Sequence, residues 1–443
     1  MEHSARRAVV QALLQVKENE GYSNIVIDKV LREYELDSRD KRLAAAIFYG
    51  TIEKQITLDF YLSFALKNPT QKIDTLAEAV LRSAAYQMIF MDKIPDSAAV
   101  NEAVELMKSF GKAPLSGFVN AVLRSLLRQK ASIQLPQGKD VQSLSVQYSI
   151  PAELIIHWQK AYGKEITTKL LESFSQKSEI FIRVNNVKTS LNEISESFKK
   201  HEVELIKSEL LPDMLIVDGE GAIPNWEEFQ NGWFHVQDLS SQIACHILAP
   251  KAGDKVLDCC SAPGGKAFTM AEMMRNQGQL YAFDLYKGRV KMVQAGAERL
   301  GLSVIQAERH DATEKWELQP DFDKVLCDVP CSGYGVIRKK PEIRYKSLAS
   351  INNLPQIQYQ ILQNASKLVK QGGKLLYSTC TLNPAENEAV ANRFLAENSA
   401  FKAHEFELPT GITRAREEQQ GMATLMPFAG ASDGFFIALF ERV

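Results

Sequence analysis

The 443-residue chain is poor in the features that define several large protein classes. No apolar run reaches membrane-spanning length, so no transmembrane helix is expected. The opening residues, Met1-Glu2-His3-Ser4-Ala5-Arg6-Arg7, lead into a polar-interrupted helical pattern rather than a signal peptide, and a cytoplasmic protein is the simplest expectation. Cysteine is scarce: Cys245, Cys259, Cys260, Cys327, Cys331 and Cys380 are too few to imply a disulfide scaffold. Cys327 and Cys331 lack the second cysteine pair or His-x-x-x-His that a zinc site needs, so no metal is expected. Charge is balanced at −2, so any nucleic-acid surface must be a local patch. What is present is ordinary globular material. Length favours two or three domains, and 45% hydrophobic residues suffice for their cores.

Residues 1–130 read as all-helical. Apolar residues recur at helical spacing in Leu76–Met88, Asn101–Met107 and Phe118–Leu127. Asn68-Pro69, Ile94-Pro95-Asp96 and Phe110–Pro114 separate them. Ala5-Arg6-Arg7-Ala8, Phe48-Tyr49-Gly50-Thr51, Ile94-Pro95 with Asn101–Val104, and Phe118–Arg124 resemble the NusB-like helical domain. That resemblance implies RNA contact or protein docking. Residues 131–150, with Pro136 and Gly138, read as a linker. Residues 151–235 read as a small α+β module, with strands at 180–185, 203–207, 214–218 and 233–238 and a helix at about 190–200. It holds 9 Lys and Arg against 14 Asp and Glu, which argues against a broad phosphate-binding face.

From residue 236 to 443, strands and helices alternate, which predicts an α/β Rossmann-like core with a mainly parallel sheet. Lys324–Cys327 reads as a buried strand, stopped by Pro330 and turned at Gly333. It presents Asp328 and Cys331 at a carboxyl end, where open α/β sheets bind ligands. A second strand, Lys374–Thr381, ends in another thiol, Cys380. The strand Lys255–Cys259 leads into Cys260-Ser261-Ala262-Pro263-Gly264-Gly265-Lys266 and a helix. Small residues let the backbone approach a ligand, and the helix start offers free N–H groups. Asp284 ends the next strand, where an acid suits ribose hydroxyls. The loop lacks G-x-G-x-x-G and G-x-x-x-x-G-K-[ST], so a ribose without a phosphate, as in S-adenosylmethionine, fits best. Asp311 reads as a helix N-cap or, in the sulfonium-cofactor reading, as a residue facing the adenine. The cofactor set is therefore Cys260 to Lys266, Asp284, Asp311 and Asp328.

Cys245, Cys259 and Cys327 read as small buried hydrophobes. Cys331 and Cys380 differ, because each follows a strand beside turn-forming residues. A thiol and a methyl donor together point to carbon 5 of a pyrimidine. That carbon accepts a methyl group only after a thiolate adds to carbon 6. Asp328 is placed to hold or protonate ring nitrogen 3.

Asp258–Lys266, Phe283-Asp284, His310-Asp311-Ala312, Asp328–Gly333 and Ser378-Thr379-Cys380-Thr381, with Ile182–Asn185 and Val236-Gln237-Asp238, resemble the Sun/Fmu (NOL1/NOP2) family of RNA cytosine-5 methyltransferases. The resemblance covers residues 180–443. Combined with the NusB-like front, it implies methylation of one cytosine in 16S ribosomal RNA. The substrate expected is an unassembled or partly assembled small subunit, and the enzyme expected is a monomer. The family assigns the nucleophile to the thiol after Ser-Thr, here Cys380, and product release to the thiol after Asp-Val-Pro, here Cys331. The DNA enzymes use the Pro-Cys thiol as nucleophile and would swap the two. Tyr334 and Ser261 depart from the family's usual Thr and Ala without removing a reactive group. Two alternatives stay open: the same chemistry on a tRNA or another ribosomal cytosine, and a non-catalytic RNA-binding or antitermination factor. Arg338, Lys339, Lys340, Arg344 and Lys346 follow Cys331 closely and are assigned to RNA phosphates. The target base must leave its stack, so single-stranded or loop RNA is expected.

Overall fold

The computed structural model describes residues 4–19, 23–176, 178–201, 203–219, 223–414, 416–430 and 433–443. The reading of Met1-Glu2-His3 therefore lies outside the described residues. Among the described residues, no helix is long and apolar enough to cross a membrane. The chain forms two compact units. One comprises the described residues of Met1–Lys160 with Lys339–Lys346, and the other Ala161–Arg338 with Ser347–Val443.

The first unit is helical, as its periodicity predicts. Thr75–Phe90 is its central helix, with Leu76, Val80, Leu81, Ala84, Ala85 and Met88 all buried. Asp74 caps it, accepting from the N–H groups of Leu76 and Ala77, which satisfies donors a helix start leaves unpaired. Two expectations change here. The stretch 131–150 is not a free linker, because Val141–Tyr148 is a helix capped by Asp140. Thr57 Oγ1 donates to Val146 O at 2.7 Å, and Ile56 N to Ser149 Oγ at 2.9 Å, which fixes its far end. The second change is that Lys339–Lys346, expected in the α/β domain, packs with the helices. Ser23 donates to Glu342 through both N and Oγ, at 3.1 and 2.7 Å, and Tyr345 OH donates to Ile52 O at 2.9 Å.

In the second unit, a four-stranded antiparallel sheet has the order β2-β3-β1-β4. Its strands are β1 (Ile180–Val184), β2 (Glu204–Lys207), β3 (Met214–Asp218) and β4 (Phe234–Val236). Helix Leu191–Phe198 opens with a capping box between Ser190 and Glu193. The larger sheet holds β5 (Lys255–Asp258), β6 (Gln279–Asp284), β7 (Ile305–Arg309), β8 (Phe322–Asp328), β9 (Val369–Thr379), β10 (Phe401–Ala403), β11 (Met422–Leu425) and β12 (Phe435–Arg442). Its order is β10-β12-β9-β8-β5-β6-β7, with β11 on β12. Strands β5 to β9 are parallel, while β10, β11 and β12 pair antiparallel.

Alternation along the strands explains the layers. Leu326 and Leu376 enter one hydrophobic cluster, whereas Val325, Cys327, Leu375 and Tyr377 enter another. Both sheet faces are thus covered, as parallel strands require. The order also fixes the site. The chain runs outward from β5 to β6 and β7, then crosses back to place β8 on the other side of β5. Ligands bind at such a reversal, beyond the strands' carboxyl ends. Asp258, Asp284, Asp328 and Thr379 end β5, β6, β8 and β9 there.

Candidate active site

The loop after β5 is pinned by its backbone. Cys259 N donates to Leu326 O at 3.0 Å, Ser261 N to Phe283 O at 2.7 Å, and Gly264 N to Ser261 O at 2.8 Å. Gly264 takes φ 114°, open to glycine and costly for other residues, and starts the helix Gly265–Met273. The first N–H groups of that helix lack intrahelical acceptors. Asp284 is buried; its carboxylate accepts from Ala262 N and Tyr286 N, each at 3.3 Å, and lies 3.5 Å from Arg289 Nη1. Asp311 caps no helix. Its Oδ1 accepts from Thr313 N at 2.9 Å and Thr313 Oγ1 at 2.7 Å, closing a tight turn after β7. Those hydrogen bonds, led by the Thr313 hydroxyl, hold the Asp311 carboxyl below its usual range.

Asp258 and Ser261 are buried polar residues, and Asp258 Oδ2 and Ser261 Oγ have no protein hydrogen-bond partner. Burial, with Asp328 next, pushes the Asp258 carboxyl up to about 8. Beside this loop, such oxygens are available to a bound ligand.

Lys266 Nζ meets Asp328 Oδ2 at 2.7 Å, and Ser378 Oγ donates to Asp328 Oδ1 at 2.8 Å. The Lys266 side chain thus contacts Asp328. Burial disfavours its ammonium, but Asp328 outweighs this, and Cys245 and then Cys380 add to it, so its pKa is raised.

Adjacent parallel strands place the two thiols. β8 pairs with β9 through Asp328 and Ser378, so the turns that follow emerge side by side. Cys331 Sγ and Cys380 Sγ are 3.3 Å apart, both half-buried. The hydrogen bond that Cys331 shares with Cys380, with Cys331 as the donor, and then burial raise the Cys331 thiol well above its ordinary pKa. Gly335 N donates to Cys380 O at 3.0 Å, tying the two turns. A side chain on Gly335 would lie 1.9 Å from Gly434 O, so only glycine permits this approach. Cys245, Cys259 and Cys327 are buried in the core.

The basic stretch after Cys331 is not uniform. Arg344 is 2% exposed, and its Nη1 donates to Glu53 O at 2.8 Å, Ser149 O at 3.3 Å and Tyr148 O at 3.5 Å. Its assignment to RNA phosphates is therefore corrected: buried donors engaged by carbonyls do not reach a phosphate. Arg338 faces Asp433 Oδ1 at 3.8 Å with 11% of its side chain exposed. Lys339 is exposed, and Lys340 and Lys346 are half-buried.

Sequence reasoning missed the polar turn after Cys380. Asn383-Pro384-Ala385-Glu386-Asn387 is a dense turn signal directly before helix Glu388–Glu397. Glu386 accepts from Ser332 N at 2.9 Å, and Asn387 Nδ2 donates to Thr381 O at 2.9 Å.

Comparison with known proteins gives this geometry a family. The model described as 16S rRNA methyltransferase RsmB/F matches residues 245–441, that of the NusB family 3–128, and that of a ferredoxin-like domain of RsmF/B-like methyltransferases 150–224. A probable ribosomal RNA small subunit methyltransferase B of Bacillus subtilis (strain 168) is 36% identical over 99% of each chain. The chain belongs to the RsmB/F (Sun/Fmu) methyltransferase family. A second relative of the same description, from Synechocystis sp., is 35% identical over 99% of each chain. The crystal structure of PH0851 is 28% identical and matches with a TM-score of 0.85, covering 99% of this chain and 98% of that one.

The RsmB/F assignment accounts for the three-part architecture: a NusB domain, a ferredoxin-like module and a Rossmann-like methyltransferase core. The methyl donor is S-adenosylmethionine. The residues present fit it, since the loop after β5 combines glycine-shaped backbone, helix-start amides and two buried unpartnered oxygens.

Proposed function

We propose that this RsmB/F methyltransferase methylates carbon 5 of one cytosine in 16S ribosomal RNA through a covalent Cys380–cytosine adduct. The observation that carries the reading is the 3.3 Å pairing of Cys331 with Cys380 beside Asp328. When bound, S-adenosylmethionine supplies an electrophilic methyl group. The loop amides and Ser261 hold its amino-acid end, Asp284 its ribose hydroxyls and Asp311 its adenine.

Cys380, as the thiolate, bonds to carbon 6, and the ring's electron pair moves to carbon 5, which takes the methyl group. Lys266, whose ammonium interacts with Cys380, favours that thiolate. Asp328, held by Lys266 and Ser378, faces the polar edge of the ring as charge develops. Release follows when the carbon 5 proton passes to a water molecule, the double bond re-forms and the Cys380–carbon 6 bond breaks with its electron pair returning to the Cys380 sulfur. Cys331, raised in pKa and so still carrying its proton, assists that release. The NusB-like domain selects the RNA, and Lys339, Lys340 and Lys346 contact phosphates. The cytosine must be unstacked, so unassembled or partly assembled RNA is the preferred substrate.

Bisulfite mapping of RNA from cells lacking the protein tests the reading. One 16S cytosine loses its methyl group and regains it when the purified enzyme is added to naked or partly assembled RNA. An unchanged 16S map, or loss confined to a tRNA, contradicts it.

A further inference from the structure

The turns carrying the two thiols are gripped by two consecutive side chains outside the chemistry just described. Glu386 is 0% exposed. Its Oε2 accepts from Ser332 N at 2.9 Å and Gln358 Nε2 at 2.8 Å, and its Oε1 from Ser332 Oγ at 2.5 Å and Asn383 Nδ2 at 2.9 Å. Gln358 Nε2 also donates to Pro330 O at 2.9 Å. Both neighbours of Cys331, Pro330 and Ser332, are therefore tied to one carboxylate. Asn387 does the same for Cys380. Its Oδ1 accepts from Thr379 Oγ1 at 2.6 Å, and its Nδ2 donates to Thr381 O at 2.9 Å.

Ser332 Oγ and Thr381 Oγ1, 2.6 Å apart, join the two grips. A hydroxyl has one proton. Ser332 directs its own to Glu386, so Thr381 donates to Ser332. A buried carboxylate is costly unless well satisfied, and four donors satisfy this one. Tyr377 OH, donating to Glu386 O at 2.5 Å, fixes the backbone as well.

We propose that Glu386 and Asn387 are positioning residues that hold Cys331 and Cys380 in register, Glu386 from the Cys331 side and Asn387 from the Cys380 side. The proposal rests on the reading of these cysteines as the reacting thiols. Glu386 also places a negative charge near Cys331, one of the causes that raise its thiol. Glu386 thereby adds to what keeps the releasing thiol protonated, after the Cys380 hydrogen bond and burial.

The test uses the full-length enzyme with Glu386→Gln, which keeps shape but removes charge, and Ser332→Ala, which keeps the charge but breaks the hydroxyl bridge. Calorimetry reads S-adenosylmethionine affinity, steady-state kinetics on RNA read KM and kcat, and iodoacetamide labelling followed by mass spectrometry reads the pH at which Cys331 ionises. Both variants should bind the cofactor within about twofold of wild type and keep KM within about threefold, with kcat lowered about 10- to 100-fold, the scale of a small misplacement of reacting groups. The Cys331 labelling midpoint should fall in Glu386→Gln and stay put in Ser332→Ala. Turnover near wild type in both variants overturns the proposal. So does a loss of turnover matched by an equal loss of cofactor affinity, which marks a merely structural role. If Glu386→Gln does not fold, turnover by Ser332→Ala decides alone. If the wild type methylates no RNA cytosine, the proposed function fails, and the labelling midpoint still decides whether the Glu386 charge acts on Cys331: lowered in Glu386→Gln supports it, unchanged overturns it.

Discussion

Lys266 Nζ lies 2.7 Å from Asp328 Oδ2, joining the helix start after β5 to the end of β8 where the strand order reverses. The same ammonium interacts with Cys380. Lys266→Met removes a positive charge that favours the Cys380 thiolate. The rate of covalent adduct formation should therefore rise at a higher pH in the variant than in wild type. Superimposable pH–rate curves would show that Lys266 does not act on the nucleophile.

Asp284 tests the cofactor site. Asp284→Ala removes a buried strand-end carboxylate assigned to the ribose hydroxyls. Its cost to S-adenosylmethionine binding should be about 1–3 kcal/mol, the scale of hydrogen bonds left unpaired. Unchanged affinity by calorimetry would remove Asp284 from the site.

Arg344 and Lys339 should fail differently although both belong to one basic stretch. Arg344→Ala leaves carbonyls of Glu53, Tyr148 and Ser149 without their donor. It should lower the stability of the helical unit by about 1–3 kcal/mol and leave the salt dependence of RNA binding unchanged. Lys339→Ala should lower the slope of log affinity against log salt by about 1. A reduced salt slope in Arg344→Ala would contradict the buried role.

Asp258 sets a pH dependence of stability. Its buried carboxyl holds a proton up to about 8, whereas an aspartate in an unfolded chain loses it near about 4. Between those values the folded chain binds a proton that the unfolded chain has lost, so stability falls as pH rises from about 4 to about 8. Asp258→Asn removes this contribution. Thermal unfolding without cofactor should show the variant gaining on wild type from pH 5 to pH 8. A constant difference across that range would rule out the raised carboxyl.

The α/β core was legible because each strand carries its own signal. Alternation and turn residues bracket Lys255–Asp258 and Phe322–Asp328, and the acids at their ends follow from the parallel register. The two thiols were legible as strand-end residues; their 3.3 Å separation was not, because it depends on β8 pairing with β9. Glu386 drew no reading from the sequence, since its partners Ser332 and Gln358 lie 54 and 28 residues away. Arg344 was misread for the opposite reason. A run of like charges gives no local sign that one member turns inward, and the carbonyls that bind it are nearly 200 residues or more distant in the chain. The helix Val141–Tyr148 was hidden by its short length and by the proline and glycine just before it.

The central claim is that the two thiols divide one reaction between attack and release. A denaturing gel of enzyme incubated with cytosine-containing RNA and S-adenosylmethionine tests it directly. Cys331→Ala should give a denaturation-resistant protein–RNA band, because attack proceeds and release stalls. Cys380→Ala and the double variant should give none, because no bond to carbon 6 forms. A band that persists without Cys380 and vanishes without Cys331 would reverse the assignment and contradict the account.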